Sequence, residues 1–139
     1  MKLFLDTNVL IDFLTARGPF GPNARAIVRM CNGSNSVRGC FSSLSACDIA
    51  YILRNQFPYD VLRSQILALG SILEMLDTRA AEVKAALAGN DVDFEDAVQR
   101  ICAVENGADF IITRDKDGFV NATIPVMSPT EFLDKFERK

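Results

Sequence analysis

The chain has 139 residues, 49% hydrophobic and 24% charged, which is enough apolar material for one packed domain and too little chain for two ordinary ones. Histidine is absent, which removes Ser-His-Asp and Cys-His catalysis, His-ligated zinc and histidine acid–base nucleases, so carboxylates must carry any chemistry. The net charge of −3 is a poor footprint for a nucleic-acid binder unless bound cations reverse its sign locally.

From the amino terminus, Lys2-Leu3-Phe4-Leu5 reads as a short apolar strand ending abruptly at Asp6-Thr7-Asn8. That acid comes too soon for the apolar core of a signal peptide, and no apolar run approaches the ~20 residues that span a bilayer. A soluble, cytoplasmic protein is expected. Val9, Leu10, Phe13 and Leu14 recur at helical spacing, and the Gly18–Pro22 stretch ends that helix in a loop. A second helix is expected over 23–32, a strand over 39–42, and a helix with Leu44, Cys47, Tyr51 and Leu53 on its apolar face, stopping before Pro58. A helix over 59–70, a strand over 72–76 and a helix over 79–87 follow. The next helix, 93–106, places Ala97, Ile101 and Val104 on one stripe and is stopped by Gly107. Strands over 109–113 and 124–127 come last, and Ser128-Pro129 opens a terminal helix with a natural N-cap and a proline at its first position. Strands alternating with helices predict a single α/β domain over 1–139, with a central parallel sheet of about five strands and helices on both faces. Cys31, Cys40, Cys47 and Cys102 form no C-x-x-C pair and read as reduced, buried or half-buried thiols, Cys47 and Cys102 lying within apolar helical patterns.

Open parallel sheets bind ligands beyond the carboxyl ends of their strands, near the point where strand order reverses. Asp6 ends the first strand and Asp115 lies two residues past the fourth; Asp48 sits in the helix after the second strand, and Asp96 near the start of the helix before the fourth. Four acids distant in sequence can therefore meet at one sheet edge. Crowded carboxylates are tolerable when a cation neutralises them, and hard cations such as Mg²⁺ take oxygen ligands. Each acid also has a plainer reading. Asp6 suits a helix cap, Asp115 an ordinary turn, and Asp93 with Asp96 an N-cap and a first-turn acid, which gains about 0.3–1 kcal/mol from the helix dipole. Asp48 is harder to explain that way, because it sits mid-helix with Tyr51 and Ile52 where a cationic partner would stand.

Leu5-Asp6-Thr7-Asn8-Val9-Leu10-Ile11-Asp12 resembles the opening motif of PIN-domain nucleases. Asp93-Phe94-Glu95-Asp96-Ala97 and Ile112-Thr113-Arg114-Asp115-Lys116-Asp117 resemble their closing motifs, in the same order and at fitting spacing. The resemblance implies a Mg²⁺- or Mn²⁺-dependent ribonuclease that cleaves single-stranded RNA to 5′-phosphate and 3′-hydroxyl ends. It also implies a toxin held inactive by a co-expressed antitoxin, and a homodimer. Carried over residue by residue, Asp6, Asp96 and Asp115 match the first, third and fourth acids and the metal ligands. Asn8 matches the polar companion of the first acid, and Thr113 the hydroxyl residue preceding the last. The second acid of the family is usually Glu; here Asp48, one methylene shorter, is the candidate in the matching helix. Asp93, Glu95 and Asp117 are auxiliaries or surface acids. Arg38, Arg114 and Lys116 are candidate phosphate contacts whose plainer reading is solvated charge.

Three other classes compete. A phosphatase of the haloacid dehalogenase type needs D-x-D, and the second acid is replaced by Asn8. A phospho-receiver domain needs a lysine such as Lys116 brought to an acceptor aspartate by a different strand order. A decayed PIN-like binding module predicts missing acids, whereas the matched acidic positions remain acidic.

Overall fold

The central strand of the sheet is the one at the very start of the chain. In the computed structural model, which describes residues 1–33 and 35–136, β1 (Lys2–Leu5) pairs in parallel with β2 (Arg38–Ser42) on one side and with β4 (Phe110–Ile112) on the other. β3 (Glu74–Leu76) and β5 (Val126–Met127) complete the order β3-β2-β1-β4-β5, all parallel. Strand order thus reverses at β1, and the carboxyl ends of β1 and β4 form the switch point. The last three residues of the expected 1–139 domain lie outside the described residues.

Seven α-helices connect these strands among the described residues: α1 (Thr7–Thr15), α2 (Gly21–Cys31), α3 (Ser43–Ile52), α4 (Tyr59–Ile72), α5 (Ala80–Ala88), α6 (Phe94–Glu105) and α7 (Pro129–Phe136). None is long and apolar enough to cross a membrane. Successive strand residues point to opposite faces, which divides the core in two. Leu3, Leu5, Phe41 and Ile112 pack with buried residues of α1, α2, α3, α4 and α7, whereas Phe4, Cys40 and Ile111 pack with Cys102 and Ala103 of α6 and with Phe119. Helices therefore cover both faces, as the alternation predicts.

Element ends follow local chemistry. Asp93 caps α6 by accepting from Asp96 N at 2.9 Å, and Gly107, at φ +72°, turns the chain out of it. Ser128 accepts from Glu131 N at 3.1 Å, while Glu131 Oε1 accepts from Ser128 N at 3.0 Å, closing a capping box at α7. The third strand is shorter than expected because Ile72 still belongs to α4. The fifth is confined to Val126–Met127; Pro125 has no N–H to give, yet its carbonyl accepts from Ile111 N at 3.0 Å.

Two helices are rotated from their expected orientation. On α3 the buried residues are Ser45 and Ile49, followed by Leu53, while Cys47 is exposed and Tyr51 is 66% exposed, stacked instead under the Arg54 guanidinium at 3.8 Å. On α6 the buried set is Ala97, Val98, Gln99, Cys102 and Ala103; Ile101 is half-buried and Val104 is exposed. In both cases a polar side chain with interior partners takes a place that hydrophobicity alone assigns elsewhere. The cysteines are free, and Cys47 alone among them is exposed, against the expectation that it packs inside.

Candidate functional site

The backbone of Asp6 is fixed where β1 meets β4, its N–H donating to Ile112 O at 3.0 Å. One carboxylate oxygen, Oδ1, accepts from Thr7 N at 2.8 Å; the other, Oδ2, accepts from the Thr113 hydroxyl at 2.8 Å and lies 3.4 Å from Asn8 Nδ2. The Thr113 hydroxyl in turn accepts from Asp115 N at 3.0 Å and from Asn8 Nδ2 at 3.2 Å, and Asn8 Oδ1 accepts from Arg114 N at 3.2 Å. Thr113 and Asn8 thus bridge the end of β1 to the segment carrying Asp115. Asp6 is buried, and among the described residues no cationic side chain pairs with it. Burial pushes its carboxyl pKa upward; the Thr113 and Thr7 hydrogen bonds oppose this, and the charges of Asp115 and Asp48 add to it.

Asp96 enters from the first turn of α6. Burial, followed by the charges of Asp6, Asp93 and Asp115, pushes its carboxyl up to about 7. Gly118 gives it room, since a Cβ there would run into the Asp96 carboxylate. Asp48, from the middle of α3, meets Glu95 rather than the groove floor. The hydrogen bond between these two carboxyls, then burial, raises Glu95 to about 8, and Asp48 Oδ2 is buried with no hydrogen-bond partner.

Asp6, Asn8, Glu95, Asp96 and Asp115 line one open groove of about 300 Å³, together with Arg17 and Ile52. Asp96 and Asp115 also line an adjoining recess of about 380 Å³ with Asp93, Asp117 and Gly118. Among the described residues no three or more cysteine, aspartate or glutamate side chains are grouped closely enough to hold a metal ion as they stand. The groove offers hard oxygen donors, among them an uncompensated buried carboxylate at Asp6, which is the donor chemistry that suits a hydrated divalent cation. The set shared by the groove is Asp6, Asp96 and Asp115, with Asp48 behind Glu95.

The basic candidates separate clearly. Arg114 forks onto Asp12, with Nε to Oδ2 at 2.6 Å and an Nη to Oδ1 at 3.2 Å, and lies 4.0 Å over the Phe20 ring. Lys116 pairs with Glu131 at 2.9 Å. Arg38 starts β2 opposite Lys2, at the amino-terminal edge of the sheet and so away from the acids. With Lys116 engaged by Glu131 and Asn8 engaged by Arg114 N, neither the receiver nor the phosphatase arrangement is assembled around Asp6. Sequence reasoning missed Asp12 as the partner of Arg114, Arg17 as a groove residue, and Gly118. A glycine three residues past a candidate acid was the available signal for the last.

The PIN domain family model matches residues 2–117. Across 97% of its length the chain is 25% identical to Ribonuclease VapC1 of Aquifex aeolicus (strain VF5), covering 95% of that protein. The fold is also that of VapC20 of Mycobacterium tuberculosis, described as a sarcin-ricin loop cleaving toxin: TM-score 0.69 at 13% identity, over 86% of this chain and 94% of that one. DNA-bound VapBC from Salmonella typhimurium gives a TM-score of 0.69 at 20% identity, over 93% and 98% of the respective chains.

Proposed function

This chain belongs to the PIN domain family, and from that premise we propose that it is a metal-dependent endoribonuclease acting on single-stranded RNA. The observation that carries this reading is that Asp6, Asp96 and Asp115 face one open groove at the switch point of the sheet while none of the three has a cationic side-chain partner among the described residues. Asp6, Asp96 and Asp115 would hold Mg²⁺ or Mn²⁺, in part through water. Such an ion supplies a water of lowered pKa and offsets charge developing on the phosphoryl oxygens. The chain's own contribution is orientation. Thr113 and Asn8 hold Asp6 and tie it to the backbone at Arg114 and Asp115. Asp48, the candidate for the family's second acid, would act through its contact with Glu95, while Asp93 and Asp117 make the adjoining recess acidic.

The same reading makes the protein the cytoplasmic toxin of a toxin–antitoxin pair and a homodimer. Support comes from the ribonuclease likeness over nearly the whole chain and from the fold shared with VapC20, described as a toxin. The test is cleavage of single-stranded RNA with Mn²⁺, with EDTA, and by Asp6→Asn and Asp96→Asn. Chelation and either substitution are expected to reduce cleavage by at least about 100-fold. Cleavage indifferent to EDTA and to both substitutions would overturn the metal-nuclease reading. A folded wild-type protein that cleaves nothing would favour the decayed binding module.

A further inference from the structure

Where α1, β2, α3 and α6 converge, four uncharged polar side chains form one buried cluster. Gln99 of α6, Ser42 of β2 and Ser45 of α3 are fully buried, and Thr7 of α1 is nearly so. Gln99 Nε2 donates to Ser45 Oγ at 2.8 Å and to Thr7 Oγ1 at 3.2 Å, and its Oε1 accepts from Ser42 Oγ at 2.6 Å. The Thr7 and Ser45 hydroxyls lie 2.7 Å apart, and Ser42 Oγ accepts from Ser45 N at 3.2 Å, capping α3. A primary amide offers two N–H donors and one carbonyl, and here both ends are in use.

An apolar side chain of similar volume would fill this space without the desolvation cost of an amide. What a fully satisfied buried network adds is a single geometry, because its directional bonds tolerate little sliding or rotation of the elements that contribute them. Three of the four members sit beside an acid of the candidate site. Thr7 follows Asp6, Ser45 is one helical turn before Asp48 on α3, and Gln99 is one turn after Asp96 on α6. Metal and reaction geometry are sensitive to sub-ångström errors in such placement.

We propose that Gln99 is a positioning residue whose carboxamide, by locking Thr7, Ser42 and Ser45, fixes α1, α3 and α6 so that Asp6, Asp48 and Asp96 are held in one arrangement. This rests on reading Asp6 and Asp96 as metal-holding acids of the nuclease and Asp48 as their companion. Gln99 touches neither the groove nor the reacting atoms; it acts through the elements it joins.

The test compares full-length wild type with Gln99→Met, which keeps the volume and removes all three bonds. Thr7→Val removes the two bonds of the Thr7 hydroxyl, to Gln99 and to Ser45, and leaves the backbone N–H that Asp6 uses. Each protein is measured for thermal unfolding, for Mn²⁺ binding without RNA by electron paramagnetic resonance, and for kcat and KM on single-stranded RNA. In Gln99→Met the Mn²⁺ Kd is expected to rise and kcat to fall, each by about 10- to 100-fold. KM stays within about twofold because the substrate surface is untouched. Thr7→Val moves the same two quantities in the same direction by less, and it decides the matter if Gln99→Met does not fold. Folded variants with wild-type Mn²⁺ affinity and kcat overturn the positioning role and leave the nuclease reading standing. A wild type that neither binds Mn²⁺ nor cleaves RNA overturns both.

Discussion

Asp6 and Asp12 bracket the first part of α1, both nearly sealed from water at 6% and 1% exposure, yet they are treated in opposite ways. Asp12 receives a two-point guanidinium from Arg114, with Arg17 Nε 4.0 Å from its Oδ1. Asp6 receives only neutral donors: a backbone N–H, a hydroxyl and a distant amide. A buried carboxylate without a cation is unfavourable, and the same helix shows that this chain has an arginine for the purpose. Leaving Asp6 without one, beside Asp96 and Asp115, makes sense when the missing charge is to come from outside the polypeptide.

The largest expected effect follows from breaking the satisfied half of this pair. Arg114→Ala strands the Asp12 carboxylate and is expected to lower stability by roughly 3 kcal/mol in urea unfolding. Asp6→Asn removes an unpaired charge, so in EDTA it is expected to leave the fold as stable as wild type or more so while cleavage is lost. Equal destabilisation by the two substitutions would mean that Asp6, like Asp12, is a structural charge. A smaller effect is expected at Gly118. Its Cβ in Gly118→Ala forces the Asp96 carboxylate aside, which is expected to reduce cleavage by about tenfold with an unchanged unfolding midpoint. Unaltered cleavage would show that Asp96 need not sit where it does.

A gentler perturbation is pH. Asp96 is raised from 3.8 to about 7 and Glu95 from 4.5 to about 8 in the folded protein. An acid whose folded pKa exceeds its unfolded one binds its proton more tightly when folded, so folding is favoured at low pH and that advantage fades as pH rises through the shifted value. In EDTA the Tm is therefore expected to fall between about pH 5 and pH 8, with a shallower slope in Asp96→Asn. Screening by water in the open groove keeps the effect below that of the two substitutions. Mn²⁺ favours the ionised form, so it is expected to stabilise most at the upper end. A Tm that is flat with pH in EDTA would remove the electrostatic half of the comparison.

How far the sequence discloses this arrangement depends on whether the determining partner is local. β1, its terminal Asp6, the Asp93 cap, the Gly107 stop and the Ser128 cap are legible because each is decided by neighbours a few residues away. The gathering of Asp6, Asp96 and Asp115 is legible one step further, through the rule that parallel strands end on a common edge. The interior face of α3 is not. Ser45 is buried because Gln99, Ser42 and Thr7 satisfy its hydroxyl, and Gln99 lies 54 positions away, so counting apolar residues at helical spacing selects Cys47 and Tyr51 instead. The role of Arg114 fails for the same reason: its partner Asp12 is 102 positions distant, and only the folded structure shows that the charge is already spent.

The orientation of α3 itself gives the smallest and most direct measurement. Residues two apart on an α-helix point about 200° from each other, so Ser45 and Cys47 cannot both face the core. The thiols of Cys31, Cys40 and Cys102 are buried, and burial raises them to about 11, 12 and 12 respectively, which suppresses the reactive thiolate. Iodoacetamide at about pH 8 is therefore expected to modify Cys47 rapidly in the native protein and the other three only after unfolding, as read by intact-mass spectrometry. If Cys47 is protected instead, α3 is turned the other way, Ser45 leaves the Gln99 cluster, and Asp48 no longer meets Glu95. A single alkylated thiol thus reports on the same helix rotation that brings Asp48, the weakest-matched acid of the proposed site, against Glu95.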